Sequence, residues 1–190
     1  MNPTLRSVGL TCLKLLNEAG YEAWWVGGCV RDTLLSRPVQ DVDVTTSALP
    51  EQTIVCFRNA GYPVIPTGLK HGTVTVMIQD IPIEVTTYRS DSDYQDHRHP
   101  ESVRFTRSLW EDCARRDFTI NALCWHPDLG LRDYFHGQRD LKNKVIACIG
   151  DPYQRFDEDA LRILRALRFA STLGFALDLG TRQALFHHKE

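Results

Sequence analysis

Apolar side chains recur at helical spacing through residues 4 to 19 (Leu5, Val8, Cys12, Leu15, Leu16, Ala19), which predicts an amphipathic helix with Gly20 placed to stop it. The pattern then changes to a short continuous apolar run, "EAWWV" (22–26), that reads as a buried strand. Gly27 and Gly28 break it before "CVRDTLL" (29–35) resumes as a brief helix ended by Pro38. "DVDVT" (41–45) is a second strand, and "PEQTIVCFRNAG" is a helix opened by Pro50 and closed by Gly61. "TVTVMI" and "IPIEVTT" alternate with β-branched residues and are joined through Gln79 and Asp80 as a hairpin. Residues 88 to 104 are polar and aperiodic, which predicts a long mobile loop. Ser108 and Glu111 fit a capping box that starts a helix running into "CARRDFTINAL". From residue 151 the chain reads as helices with no intervening strand, and Ala160, Ile163, Leu164 and Leu167 fall on one face expected to be buried. The expected class is α+β: a mixed sheet flanked by helices over residues 1–150, then an all-helical segment over residues 151–190.

Composition narrows the function classes. With 190 residues and 43% apolar content the chain can bury a sizeable core. No apolar run approaches the roughly 20 residues needed to cross a bilayer, and the first helix lacks a cleavage site, so no membrane role is expected. The six cysteines form no CxxC pair and read as reduced, mostly buried thiols of a cytoplasmic protein. A net charge of -2 argues against a strongly basic nucleic-acid-binding domain. An RNA partner would be gripped locally, and the arginines do cluster: Arg104 and Arg107, Arg115 and Arg116, then Arg162, Arg165 and Arg168.

Four groups of residues carry candidate chemistry. Asp41 and Asp43 project to one face if both lie on a strand, and two carboxylates at one point suit hard cations such as Mg²⁺. A solvated strand face is the alternative. Glu84 on the later strand is the available third carboxylate, or an edge-strand charge. Gly27 and Gly28 lie between a strand and a helix, where backbone N–H groups can cradle phosphate, with Arg31 one turn further on; a plain tight turn explains them equally. In "EDALRILR", Glu158 can hold Arg162, while Asp159 and Arg162 make an acceptor beside a donor. That pair matches cytosine and adenine, which present an amine next to an unprotonated ring nitrogen, and mismatches guanine and uracil. An ion-paired solvent face is the rival reading. Finally, Arg116, Asp117 and Asn121 offer phosphate and ribose contacts, although two arginines at a helix end also compensate its dipole. The seven histidines show no metal-ligand spacing.

Taken together, "GGCVRDTLLSRPVQDVDVTT", "HGTVTV", "IEVTTYR", "ARRDFTINAL" and "RFDEDALRILRALRFASTLGF" closely resemble the class II tRNA nucleotidyltransferases, the CCA-adding enzymes and their poly(A) polymerase relatives. The resemblance implies a polymerase-β-like head followed by a helical neck. It also implies two Mg²⁺ ions on Asp41 and Asp43, with Glu84 as third acid; Gly28 and Arg31 on the nucleotide; Arg116 and Asp117 contacting ribose; Asp159 and Arg162 as a protein template; and Arg165 and Arg168 as further nucleotide contacts. The partners it implies are CTP, ATP and the 3′ end of tRNA, with attack of the RNA hydroxyl on the α-phosphate and release of pyrophosphate. "GLKHGTVTV" resembles the tRNA-directed branch, and "RSDSDYQDHRHP" resembles enzymes that add the terminal A. Family members continue beyond the neck through body and tail helices. Three other readings stay open at this level: an A-only or poly(A)-adding relative, a non-catalytic nucleotide or RNA-binding module, and a haloacid-dehalogenase-like phosphatase, whose D-x-D-x-T "DVDVT" also fits.

Overall fold

Asn2 and Pro3 open the first helix of the computed structural model, which describes residues 1–91 and 103–188. Asn2 accepts from the Thr4 N–H, and α1 (Pro3–Glu18) buries Leu5, Val8, Cys12 and Leu16 as its periodicity predicts, with Leu13 added to the buried face, Leu15 only partly buried and Ala19 exposed beyond the helix end. The chain continues through β1 (Ala23–Val26), α2 (Gly28–Leu34), β2 (Asp43–Thr46), α3 (Pro50–Asn59), β3 (Val64–Gly68), β4 (Thr73–Ile78) and β5 (Ile81–Thr87). Next come β6 (Arg89–Asp91), β7 (Val103–Phe105), α4 (Leu109–Ala114), β8 (Cys124–His126), β9 (Gly130–Arg132), α5 (Gly137–Asn143) and β10 (Val145–Ile146). The last elements are α6 (Pro152–Glu158), α7 (Leu161–Leu173), β11 (Ala176–Leu177) and α8 (Leu179–His187).

Seven strands form one mixed sheet in the order β3-β4-β5-β2-β1-β8-β9. Only the central β2–β5 pair is parallel. The hairpin between β4 and β5 turns on Gln79 (φ 51) and Asp80 (φ 60), the doubly left-handed turn that matches strand twist. Period-two alternation divides the sheet's faces. Ala23, Trp25, Val44 and Val85 join the core under α1 and α3, whereas Trp24 and Val26 pack on the opposite face with Tyr88, Leu109, Cys113 and Cys124. All six cysteines are free thiols, five of them buried. Among the described residues no helix is long and apolar enough to cross a membrane.

Several expectations need correction. The second strand begins at Asp43, so Asp41 precedes it. The helix after Ser108 stops at Ala114, and "RRDFTINAL" is a bend containing a single 3-10 turn, Thr119–Asn121. The flanks of the expected loop, β6 and β7, pair as a ribbon, and the remaining residues 92–102, with most of the acidic segment, lie outside the described residues. The helix expected after residue 151 is broken: Asp159 is extended (φ -148, ψ 102), which ends α6, and its Oδ1 accepts from the Leu161 N–H to start α7. The leucine stripe faces outward, with Leu164 63% and Leu167 47% exposed, and the buried face carries Arg162, Ala166 and Phe169. Two ion-pairing arginines and an aromatic ring draw α7 toward the cleft in place of the leucines. The helical segment also contains a strand, since β11 pairs in parallel with β10.

Candidate functional site

Asp43 is opposite Val26 on β1 and in register with Glu84 on β5, so both carboxylates leave the sheet on the face away from α1. The next outward residue on β2, Thr45, donates its hydroxyl to Asp112. Burial, then the charges of Asp41 and Glu84, push the half-buried Asp43 carboxyl up to about 6, with Arg116 pulling the other way. Asp41 and Asp43 line one open cleft of about 640 Å³. Glu84 lines a smaller adjoining cavity of about 170 Å³ that shares Asp43, Arg89, Arg115 and Arg116 with it. Among the described residues no group of three or more His, Cys, Asp and Glu side chains is gathered to hold a metal ion. Two carboxylates on the cleft with a third beside them remain a hard-oxygen donor set, one that a cation with substrate phosphates can complete.

Gly27 directly follows Val26, the β1 residue opposite Asp43, and with Gly28 makes a glycine turn on the same cleft. Gly27 has φ 75, a conformation glycine adopts without strain, and a β-carbon there would contact Arg116 and Asn121. Arg31 sits on α2 behind the turn but is already paired: Nε and Nη2 donate to both oxygens of Asp32 (2.9 and 2.8 Å), and Nη1 donates to Asn121 Oδ1 at 2.7 Å. Asn121 in turn donates to Asp117 Oδ1 at 3.1 Å. Asp117 Oδ2 receives Arg165 from α7 at 2.6 Å. The ring of Phe169 lies under three guanidinium groups, those of Arg31, Arg165 and Arg168, at 5.1, 5.4 and 5.0 Å from its centroid.

The wall between these groups rests on Asp112, which is fully buried on α4. Its carboxylate accepts from Thr45, Arg115 Nε (2.9 Å) and Arg116 Nη2 (3.2 Å), which places both arginines at the cleft. Burial alone would raise the Asp112 pKa, but Arg116 and Arg115 hold it below the ordinary carboxylate value. Burial pulls Arg116 down, Asp112 outweighs that, and the guanidinium stays charged. Arg116 Nε is buried with no hydrogen-bond partner among the described residues. At the α6–α7 junction Glu158 Oε2 lies 2.6 Å from Arg162 Nη1, the ion pair its spacing predicts, although the two residues now belong to different helices.

Gly27, Gly28, Arg31, Asp41, Asp43, Arg116, Asp117, Asn121, Asp159, Arg162, Arg165 and Arg168 therefore line a single cleft. Glu158 stands behind Arg162 as its partner, and Glu84 opens into the adjoining cavity. Asp32, His71, Arg89 and Phe169 also line the cleft without being candidates from the sequence, and Arg115 joins them from the arginine pair noted there. Arg115 and Arg89 each had a local signal, a paired arginine and an arginine following a β-branched strand, but nothing local separates such residues from surface charges.

The family model of the poly A polymerase head domain matches residues 23–147. The chain is 50% identical over 178 residues to the CCA-adding enzyme of Lactobacillus delbrueckii subsp. bulgaricus, covering 94% of this chain and 44% of that protein. It superposes with a TM-score of 0.88 and 42% identity on the crystal structure of Bacillus stearothermophilus CCA-adding enzyme in complex with CTP, covering 99% of this chain and 44% of that one. A tRNA nucleotidyltransferase complexed with a primer tRNA and an incoming ATP analog matches with a TM-score of 0.72 and 38% identity, over 93% of this chain and 49% of that one. The chain thus spans less than half the length of these relatives.

Proposed function

This chain belongs to the poly A polymerase head domain family, and from that membership we propose that it is the catalytic part of a template-independent RNA nucleotidyltransferase that adds CMP and AMP from CTP and ATP to the 3′ end of tRNA, releasing pyrophosphate. One observation carries the reading: the acidic pair, the arginines and the base-reading residues, far apart in sequence, line one cleft. The relatives named CCA-adding enzyme, and the matched structures with CTP and with a primer tRNA, support the choice of substrates.

The family's enzymes generally use divalent metal ions, and the residues here fit Mg²⁺, because Asp43 is a carboxylate whose ionisation burial and two like charges oppose until a cation offsets them. Two Mg²⁺ ions held by Asp41 and Asp43, with Glu84 at hand, would supply charge neutralisation for the RNA 3′-hydroxyl and the triphosphate. The chain's own residues do the rest. Arg115 and Arg116, held by Asp112, present positive charge to the triphosphate, and the Gly27–Gly28 turn lets it approach the backbone. Asp117 and Asn121 accept from and orient the ribose. Asp159 accepts from the exocyclic amine of cytosine or adenine and Arg162 donates to the ring nitrogen, so guanine and uracil leave buried polar groups unpaired. In this reading residues 1–150 hold the phosphates and residues 151–190 read the base. A cytoplasmic setting is supported by the six free thiols.

The test is incorporation on tRNA lacking its 3′ end, with each of the four nucleotides in turn. Addition from CTP and ATP but not GTP or UTP, abolished in Asp41→Ala and in Asp43→Ala, is the expected result. Retained incorporation in either variant discards the metal assignment, and binding without any incorporation makes the chain a nucleotide-binding module.

A further inference from the structure

Arg155 on α6 makes four side-chain hydrogen bonds, yet it does not line the nucleotide cleft. Its Nε donates to the Ile149 carbonyl at 3.1 Å, and its Nη2 donates to the carbonyls of Ala114 and of Arg116, the latter at 2.9 Å. Its Nη1 donates to Glu158 Oε2 at 2.8 Å, the same oxygen that holds Arg162. Its backbone carbonyl accepts from Arg162 Nη1 at 3.0 Å. One planar guanidinium therefore grips the end of α4, where Arg116 and Asp117 begin, and through Glu158 grips the residue that faces the base.

We propose that Arg155 is the positioning residue that sets base discrimination, by fixing where Arg162 stands relative to the subsite for phosphate and ribose. This rests on the base-reading role proposed above for Asp159 and Arg162, and it goes beyond it by assigning the alignment to a residue that touches no substrate. Discrimination between an amine and a carbonyl on the base depends on donor and acceptor positions held within a few tenths of an ångström. Arg162 belongs to α7 and Arg116 to the bend after α4, and at the extended Asp159 the helical ladder gives way to Asp159 N–H on the Arg155 carbonyl at 3.4 Å, Arg162 N–H on the Asp159 carbonyl at 3.0 Å and the Asp159 side chain on Leu161 N–H, so side chains share in fixing the α6–α7 junction. The forked Arg155 side chain spans that junction with bonds in fixed directions. A lysine carries the same charge but cannot make them.

The test uses the 190-residue chain and calorimetric titration with CTP, UTP, ATP and GTP, which needs no tRNA, applied to wild type, Arg155→Lys and Glu158→Gln, with thermal melting to establish folding. Wild type is expected to prefer CTP over UTP and ATP over GTP. Both variants are expected to lower those two preference ratios by roughly tenfold or more. A merely structural role would weaken all four nucleotides in proportion and leave the ratios unchanged, and that result in a folded variant overturns the proposal. Should Arg155→Lys fail to fold, Glu158→Gln decides alone, because it cuts the second link while the carbonyl anchors of Arg155 stay intact; unchanged ratios there overturn the proposal equally. A wild type that binds all four nucleotides alike removes the base-reading role itself, and a wild type that discriminates while the variants do so equally removes only the role of Arg155.

Discussion

Two charged regions of the molecule, one at the start of β2 and one at the α6–α7 junction, are built on opposite plans. At the start of β2, the charges of Asp41 and Glu84 oppose ionisation of the half-buried Asp43, with Arg116 as the counter-charge. At the α6–α7 junction, Arg155, Glu158 and Arg162 are paired side chain to side chain within 2.8 Å. The first region is completed from outside, by whatever cation and phosphate arrive. The second is completed from inside, and its pairing holds direction where the first holds charge. A site that must recruit metal and also read a base needs both: unspent charge for the chemistry, and spent charge for the geometry.

The comparison breaks first at Asp43. Asp43→Asn is expected to cut nucleotide incorporation by about a thousandfold or more while leaving nucleotide preference in binding intact, measured by single-turnover extension beside calorimetry. Asp112→Ala comes next. It removes the buried partner of Arg115 and Arg116 and the acceptor for Thr45, at a cost of about 3–5 kcal/mol in urea unfolding. If the loss were under about 1 kcal/mol, Asp112 would not be the support of that wall.

A smaller effect sharpens the contrast in pH. The Asp43 carboxyl sits near 6 in the fold against an ordinary value of 3.8, so its ionisation works against the metal-free fold above pH 6 and that penalty fades as pH falls toward 4. Discounted for partial solvent access, Asp43→Asn should stabilise the metal-free chain by about 1 kcal/mol at pH 7 and by nothing near pH 4. Excess Mg²⁺ should erase the gain. The smallest effect lies at the far end of the helical segment. The Ala184 carbonyl and Asp157 raise the His188 pKa, so that contact stabilises the fold at low pH and is lost as pH rises through the folded value. Asp157→Asn should cost less than about 1 kcal/mol at pH 6, seen as a lowered melting temperature that converges with wild type at high pH.

Periodicity made α1, α3 and the β4–β5 hairpin legible, because each buries one face and the pattern records it, while β1 showed as a continuous apolar run buried on both faces and α2 by the glycines before it and the proline after it. It misled at α7, where leucines at helical spacing face outward and a buried arginine takes the inner position. It was silent on β3, whose Ile65, Pro66 and Thr67 are all exposed, and on β8 to α5, whose strands are three residues long. The cleft residues were legible by chemistry, since carboxylates, glycines and arginines announce themselves. Asp112 and Arg155 were not. Their roles depend on partners such as Thr45 and Ala114 that lie 67 and 41 residues away in sequence, and no local pattern encodes such pairings.

The two short strands β10 and β11 bear on how this chain would respond to a protease. Gly150 is exposed with φ 78, on the linker before α6. A nick there would not release the C-terminal piece, because Val145 and Ile146 pair with Ala176 and Leu177, Thr181 accepts from the Cys148 N–H, and Phe156 and Ala184 lie in the core that also holds Leu5. The two cleaved pieces should travel together through gel filtration and separate only in denaturant.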